Sequence, residues 1–175
     1  MRTLIFDTET TDLVKNELMP LEKQPHVIEA FALSFIDGVE KEAFHYLFNP
    51  GFKISETITK ITGITNDILV GQHMFADRAA LLAGLISSHD EVVAHNLAFD
   101  KAMMNIEFRR CGMTVNWPEG ICTVEATEYM KGHRLNLAGL HETLFGEEFD
   151  GAHRAENDVR ALARCFWKLR EMEIV

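Results

Sequence analysis

Long hydrophobic runs and disulfide-type cysteine patterns are both absent from this sequence of 175 residues. The longest apolar stretch, residues 79–86, is far shorter than the roughly 18–20 residues that a membrane span needs. Cys111, Cys122 and Cys165 form neither a CxxC pair nor a zinc-knuckle spacing. Asp7 follows a very short apolar run at the N-terminus, so no signal peptide is expected. We therefore expect reduced thiols, a cytoplasmic location and no membrane partner.

Basic residues are also scarce, because 17 Lys and Arg stand against 27 Asp and Glu and give a formal net charge of −10. This balance argues against a protein that holds nucleic acid or an anionic membrane through a broad basic surface. No GxxxxGK[ST] loop, HExxH helix or GxSxG turn offers a route to catalysis. No repeat or Pro/Gly/Ser-rich linker divides the chain, and its length predicts a single domain spanning residues 1–175.

The pattern of apolar residues predicts one α/β layer structure. Residues 3–6, 27–36 and 43–48 are apolar or β-branched runs, and Asp37-Gly38 between the last two predicts a hairpin turn. We expect these three strands to form an antiparallel meander. Shorter strands are expected at 92–94 and 121–124, each followed by a helical pattern, and a clear helical stripe follows Asp158.

Two carboxylates, Asp7 and Glu9, come directly after the first apolar run. Residues two apart in a strand point to the same face, so these side chains are expected side by side. Their charges repel unless a cation lies between them, and a hard divalent ion with oxygen ligands meets that need. A pair of solvated acids at a strand end is the ordinary alternative, but a charged pair beside a buried run is costly unless it is used.

Three further residues complete the set of candidates. Asp100 opens a helix after the strand at 92–94, where the helix dipole alone would favour an acid. Asp158 lies beside the buried stripe of the last helix, and His153 lies in the loop before it. An imidazole with a pKa of about 6.5 can accept a proton from a metal-bound water, although a single histidine is more often an ordinary surface residue.

Together these motifs resemble the DEDDh exonucleases, the DnaQ-like family that includes proofreading subunits of bacterial replicative DNA polymerases. The resemblance rests on Asp7-x-Glu9, Asn96-x-x-Phe99-Asp100 and His153-x-x-x-x-Asp158, which occur in that order. Residues 61–65 (ITGIT) and 151–155 (GAHRA) are similar to further motifs of the family. A chance match of all these segments in one order would be rare.

The resemblance implies a fold, a cofactor and a reaction. The family fold is a ribonuclease H-like mixed sheet of five strands, three antiparallel and then two parallel, with helices on both faces. The positions of Asp7, Glu9, Asp100 and Asp158 hold two divalent ions, Mg²⁺ or Mn²⁺, and the position of His153 supplies the general base. By this resemblance, Asp7 would bridge both ions, Glu9 and Asp158 would hold the ion on the nucleophile's side, and Asp100 would hold the other. The implied reaction releases nucleoside 5′-monophosphates from a 3′ end.

The resemblance also implies where the substrate lies. The terminal nucleotide is expected to contact the segment around Thr8 and Thr10. Further contacts are expected at Leu13 and Ile61, against its base, and at Asn96 and Phe99, along the path of the next nucleotide. Apolar and aromatic contacts tolerate any base. We expect single-stranded or frayed 3′ ends as partners, with DNA favoured over RNA. A local basic rim is expected from Lys101, Arg109, Arg110, Lys131, Arg134 and Arg154.

Several alternatives stay open from the residues alone. An RNA-trimming exoribonuclease, a nucleic-acid-binding module that has lost catalysis and a small-molecule phosphatase are the competitors; the four acids and His153 count against the second. Asp12 stands where the family commonly has Gly, which predicts an altered loop without loss of activity. Because the chain ends soon after the Asp158 helix, a freestanding enzyme is expected, without the tail that would hold it to a polymerase. No pattern predicts the oligomeric state.

Overall fold

The computed structural model of the protein describes residues 1–14, 19–147, 149 and 154–175. Its described strands form one sheet in the order β3-β2-β1-β4-β5. They are β1 (Arg2–Thr10), β2 (Val27–Ile36), β3 (Val39–Leu47), β4 (Glu91–Ala94) and β5 (Glu119–Cys122). The β1–β2 and β2–β3 pairs are antiparallel, whereas β4 is parallel to β1 and β5 is parallel to β4. The predicted α/β sheet of three antiparallel and two parallel strands is confirmed.

Helices cover both faces of this sheet, as predicted. They are α1 (Glu56–Thr62), α2 (Asn66–Leu69), α3 (Ala79–Ser87), α4 (Leu97–Arg110), α5 (Thr123–Lys131), α6 (Leu137–Phe145) and α7 (Ala155–Glu171). On one face, Ile5 and Phe31 pack with Val159 of α7. On the other face, Leu4 packs with Met103 of α4. None of the helices in the described part of the chain is both long and apolar enough to cross a membrane.

The central strand β1 is longer than its apolar run predicts. Its ladder with β2 continues past Phe6 and places Glu9 opposite Glu29, so both candidate acids lie inside the strand. The register then shifts between Glu9 and Thr10, which is a β-bulge at the end of the ladder. Bulges are common beside active sites, because they re-aim side chains where pairing ends.

Two other strand boundaries were predicted wrongly. The outer strand β3 begins at Val39, four residues before the predicted start, because the polar residues at its exposed beginning hide it from a hydrophobic pattern. The last strand is Glu119–Cys122, and Thr123 already begins α5. The predicted strand at 121–124 therefore belongs half to β5 and half to the following helix.

Candidate active site

Strand β1 and helix α7 bring three carboxylates together. Asp7 and Glu9 lie on the α7 face of the sheet, as their spacing predicts, and Asp158 lies in the first turn of α7. Carboxylate oxygens of all three residues lie within 4.8 Å of one another, and each residue is partly buried. We call Asp7, Glu9 and Asp158 the acidic group. It offers the oxygen ligands that a hard divalent cation prefers.

Asp100 approaches from the opposite layer of the fold. It is buried in the first turn of α4, and its Oδ1 accepts hydrogen bonds from the Thr8 backbone N–H at 3.0 Å and from the Thr8 hydroxyl at 2.7 Å. Thr8 stands between Asp7 and Glu9 on the strand, so this contact ties Asp100 to the edge of the acidic group. Asp100 itself lies outside the 4.8 Å set.

The carboxylates of these acids repel one another when they are ionised. Burial, followed by repulsion from Asp100 and Glu9, raises the pKa of Asp7 well above its usual range. Burial and the charges of Asp158 and Glu29 raise the pKa of Glu9 to about 8. Burial raises the pKa of Asp100 to about 7, although its hydrogen bonds from Thr8 act in the opposite direction. A divalent cation would favour the ionised forms, so this donor set fits such a metal.

The chain leaves β1 through a turn built on Asp12. The Thr10 hydroxyl donates to the Asp12 carbonyl at 2.9 Å, and the Asp12 carboxylate accepts from the Leu13 N–H at 2.8 Å. Leu13 is 72% exposed, and Ile61, at the end of α1, is 50% exposed. Both side chains are accessible from solvent, as the predicted contacts with a nucleobase require. Those contacts stay predictions.

The other predicted substrate residues differ in exposure. Thr8 and Thr10 are buried. The Thr8 hydroxyl donates a hydrogen bond to Asp100, and the Thr10 hydroxyl donates one to the Asp12 carbonyl. Asn96 is exposed in a left-handed conformation (φ 75°) at the start of α4, and Phe99 is partly buried. The neighbouring His95 connects the end of β4 to the segment before α6, because its Nε2 donates a hydrogen bond to the Leu135 carbonyl at 3.1 Å. Burial lowers the pKa of His95 to about 4, so this imidazole is neutral at pH 7.

Two further predictions concern the general base and the basic rim. His153, the predicted general base, lies outside the described residues. In the predicted basic rim, Arg110 is engaged internally by Glu107 at 2.9 Å and by backbone carbonyls, and Arg154 by Glu29 at 3.1 Å. The basic rim therefore stays a prediction. Lys131 and Arg134 are exposed, as is Arg109.

Glu29 is a residue near the site that the sequence prediction missed. It is fully buried on β2, opposite Glu9, and contacts the beginning of α7. The sequence does mark this residue, because Glu29 is the single charge in the run 27–36, which is apolar except for Glu29 and Ser34. A charge in a buried strand is costly unless it has partners.

Comparisons with known proteins agree with this geometry. Residues 4–166 match the RNase_T family model, described as "Exonuclease". The DNA polymerase III PolC-type of Bacillus cereus is 31% identical over 170 residues, a match that covers 95% of this chain and 11% of the polymerase. The PolC-type enzyme of Listeria monocytogenes is 28% identical over 169 residues, which cover 94% and 11%. The chain thus spans about a tenth of the length of these relatives.

Solved structures share the fold at low sequence identity. Exonuclease X in complex with 5′ overhanging duplex DNA has a TM-score of 0.67 at 22% identity, with 98% of this chain and 93% of that chain covered. The zinc-bound E. coli exonuclease I–ssDNA complex has a TM-score of 0.78 at 18% identity, with 98% and 41% covered. A 3′-exonuclease that recognises the histone mRNA stem-loop has a TM-score of 0.74 at 16% identity, with 96% and 63% covered. The chain therefore belongs to the RNase_T family of exonucleases.

Proposed function

We propose that this chain is a divalent-metal-dependent 3′–5′ exonuclease that acts on DNA in preference to RNA and releases nucleoside 5′-monophosphates. The observation that carries the proposal is the convergence of Asp7, Glu9 and Asp158 within 4.8 Å. Repulsion within this group, joined by buried Asp100, favours a doubly charged cation at this place. The family supplies the class of reaction.

Each acid has a proposed part in holding metal. Two divalent ions, Mg²⁺ or Mn²⁺, would supply stabilisation of the attacking and leaving oxygens at phosphorus. Asp7 is assigned to both ions, Glu9 and Asp158 to the ion on the nucleophile's side, and Asp100 to the other. The two hydrogen bonds from Thr8 support the last assignment, because they fix the orientation of the Asp100 carboxylate.

His153 is proposed as the general base that accepts the proton of the attacking water. General-base assistance contributes roughly 10²–10⁴-fold to a rate, so His153→Ala should retain metal binding and turn over slower by about that factor. Steady-state rates and Mn²⁺ titration measure the two properties. Equal activity in His153→Ala would remove this residue from the mechanism.

The preference for DNA is supported by the relatives, which are DNA polymerases in name. An exoribonuclease is the second candidate, since a histone mRNA 3′-exonuclease shares the fold. Residues 1–175 are proposed to act as one exonuclease domain on single-stranded or frayed 3′ ends. Leu13 and Ile61, both at least half exposed, are proposed to contact the terminal base.

The decisive experiment follows labelled oligonucleotides in time. Matched single-stranded DNA and RNA, labelled at the 5′ end, are incubated with the protein in Mg²⁺ or Mn²⁺, and in EDTA. Stepwise shortening that stops in EDTA and in Asp158→Ala is the expected result, with DNA shortened faster. No shortening, or shortening that survives Asp158→Ala, would contradict the proposed function, and faster RNA trimming would favour the exoribonuclease.

A further inference from the structure

Glu29 is a buried carboxylate beside the acidic group whose presence the metal site does not explain. It is 0% exposed and stands directly opposite Glu9 in the β1–β2 ladder. Like charges placed opposite each other on neighbouring strands destabilise a sheet. Glu29 also raises the pKa of both Glu9 and Asp7. A carboxylate that imposes this cost is expected to make compensating contacts.

Those contacts go to β3 and to the start of α7. The Oε1 atom accepts hydrogen bonds from His45 Nε2 at 2.7 Å and from Arg154 Nη2 at 3.1 Å. The Oε2 atom accepts from the backbone N–H of Ala155 at 3.2 Å. Ala155 is the first residue of α7, whose N–H has no partner within the helix. Glu29 thus caps the positive end of a long helix while Arg154 offsets its charge.

This cap fixes the start of α7, which carries one proposed functional group and directly follows another in the sequence. His153 directly precedes Arg154 in the chain, and the Asp158 N–H donates to the Arg154 carbonyl at 3.0 Å in the first turn of α7. A displacement of Arg154 or Ala155 would therefore move Asp158 relative to β1. Because Glu29 is itself on β2, its contacts join this segment to the sheet that presents Asp7 and Glu9.

We propose that Glu29 is a positioning residue, which holds Arg154 and the first amide of α7 and acts on the reaction through the proposed general base His153, the residue before Arg154 in the sequence. The proposal rests on the proposed exonuclease function. Glu29→Gln keeps the size of the side chain but replaces one acceptor oxygen with a donor and removes the charge. Since a misplacement of about 1 Å can cost about 100-fold in rate, kcat should fall by roughly 10–100-fold. The KM for an oligonucleotide should change little.

The chain offers a matched control at the other end of α7. Glu91 is also a buried carboxylate on the sheet, and it accepts hydrogen bonds from Arg170 Nη2 at 2.5 Å and from the Thr3 hydroxyl at 2.7 Å. Glu91→Gln removes a comparable ion pair. Its partner Arg170 lies in the last turn of α7, whereas Asp158 of the acidic group lies in the first turn. It should lower the Tm as Glu29→Gln does, whereas its kcat should equal that of the wild type at a temperature where all variants are folded.

A double-mutant cycle with His153→Ala tests whether Glu29 acts through His153. If it does, Glu29→Gln should change kcat by no more than about 2-fold in the His153→Ala background, since the interaction it supports is already gone. The same fall in both backgrounds would overturn the proposal. Recovery of kcat in excess Mg²⁺ would also overturn it, because Glu29 would then act on metal affinity.

Hydrogen–deuterium exchange gives a readout that does not depend on activity. In metal-free protein, peptides covering residues 154–158 should exchange faster in Glu29→Gln than in the wild type, and Glu91→Gln should leave them unchanged. Unchanged exchange in Glu29→Gln would overturn the proposal. An inactive wild type would instead contradict the proposed function, and the exchange experiment would still decide whether Glu29 holds the start of α7.

Discussion

Asp158 contributes repulsion as well as a ligand oxygen to the acidic group, since its charge raises the pKa of both Asp7 and Glu9. Asp158→Asn keeps the size of the side chain and removes that charge. We expect exonuclease activity to fall by at least about 100-fold, because a proposed metal ligand is lost. In EDTA at about pH 8, the free energy of unfolding should instead rise by about 1 kcal/mol. Urea unfolding and an oligonucleotide assay measure the two effects.

The control for this change lies in the same helical turn. Glu156 is partly exposed and pairs with Arg160 at 3.0 Å. Glu156→Gln should leave activity unchanged and cost no more than about 0.5 kcal/mol, as for other exposed pairs on a helix. Full activity in Asp158→Asn would exclude Asp158 from the site.

Individual residues differed in how far the sequence could predict them. The shared face of Asp7 and Glu9 follows from strand periodicity, and the structure brings both within 4.8 Å of Asp158. The meeting of β1 with α7 is a tertiary contact, so local pattern alone could not supply it, and the prediction of Asp158 depended on the family motif. Glu29 was missed because it lies inside a hydrophobic run, whereas the predicted acids follow one or open a helix.

At the scale of elements, the turn between α1 and α2 depends on Gly63. This residue ends α1 in the left-handed region (φ 70°), and the Arg154 side chain packs about 4 Å from the position that a side chain here would occupy. Gly63→Ala should lower the free energy of unfolding by about 1 kcal/mol, since an alanine is strained at this φ. Urea unfolding measures the change.

Gly84 provides the opposite case for the same substitution. It lies inside α3 without a positive φ, and nothing would contact an added methyl group. Gly84→Ala should therefore raise the free energy of unfolding by about 0.5–1 kcal/mol, because alanine loses less backbone entropy in a helix. If Gly63→Ala and Gly84→Ala changed the free energy of unfolding in the same direction, the conformational explanation for Gly63 would be contradicted.

The predicted elements were most accurate where the chain is buried. Strand β2 spans 27–36 as predicted, and every residue in it except Ile36 is buried. Strand β3, at the edge of the sheet, was predicted too short. A hydrophobic pattern reports burial and does not report hydrogen bonding, so a solvated edge strand escapes it.

At the scale of the whole molecule, the acidic group links folding to pH when metal is removed. The pKa of Glu9 is raised from 4.5 to about 8, so the folded protein holds a proton that the unfolded chain releases. Its stabilising contribution is fully present below about pH 4.5 and is lost as the pH rises through about 8. The Tm in EDTA should therefore fall between about pH 5 and about pH 8.5, and Glu9→Gln should reduce this fall.

Mg²⁺ should reverse this behaviour, because a cation that binds only the folded state stabilises it by mass action. At about pH 8, saturating Mg²⁺ should raise the Tm above its value in EDTA, and Glu9→Gln should weaken that increase. Differential scanning fluorimetry over a grid of pH and Mg²⁺ concentration measures both effects. A Tm in EDTA that rises through the same pH range would contradict the raised pKa of Glu9.

The overall charge of −10 has a consequence for how the protein holds its substrate. Arg110 and Arg154 each pair with a buried glutamate, and the protein is acidic overall, so we expect it to hold the substrate mainly through metals, backbone amides and apolar contacts. For single-stranded DNA, each neutralised phosphate contributes about −0.7 to the slope of log K against log salt, so a slope no steeper than about −3 is expected. Fluorescence anisotropy with the slow His153→Ala variant in Mg²⁺ measures it. Arg109 is exposed, and Arg109→Gln should change that slope by at most about 0.7, the contribution of one phosphate. A slope of about −5 or steeper would indicate a broad basic surface and would contradict this prediction.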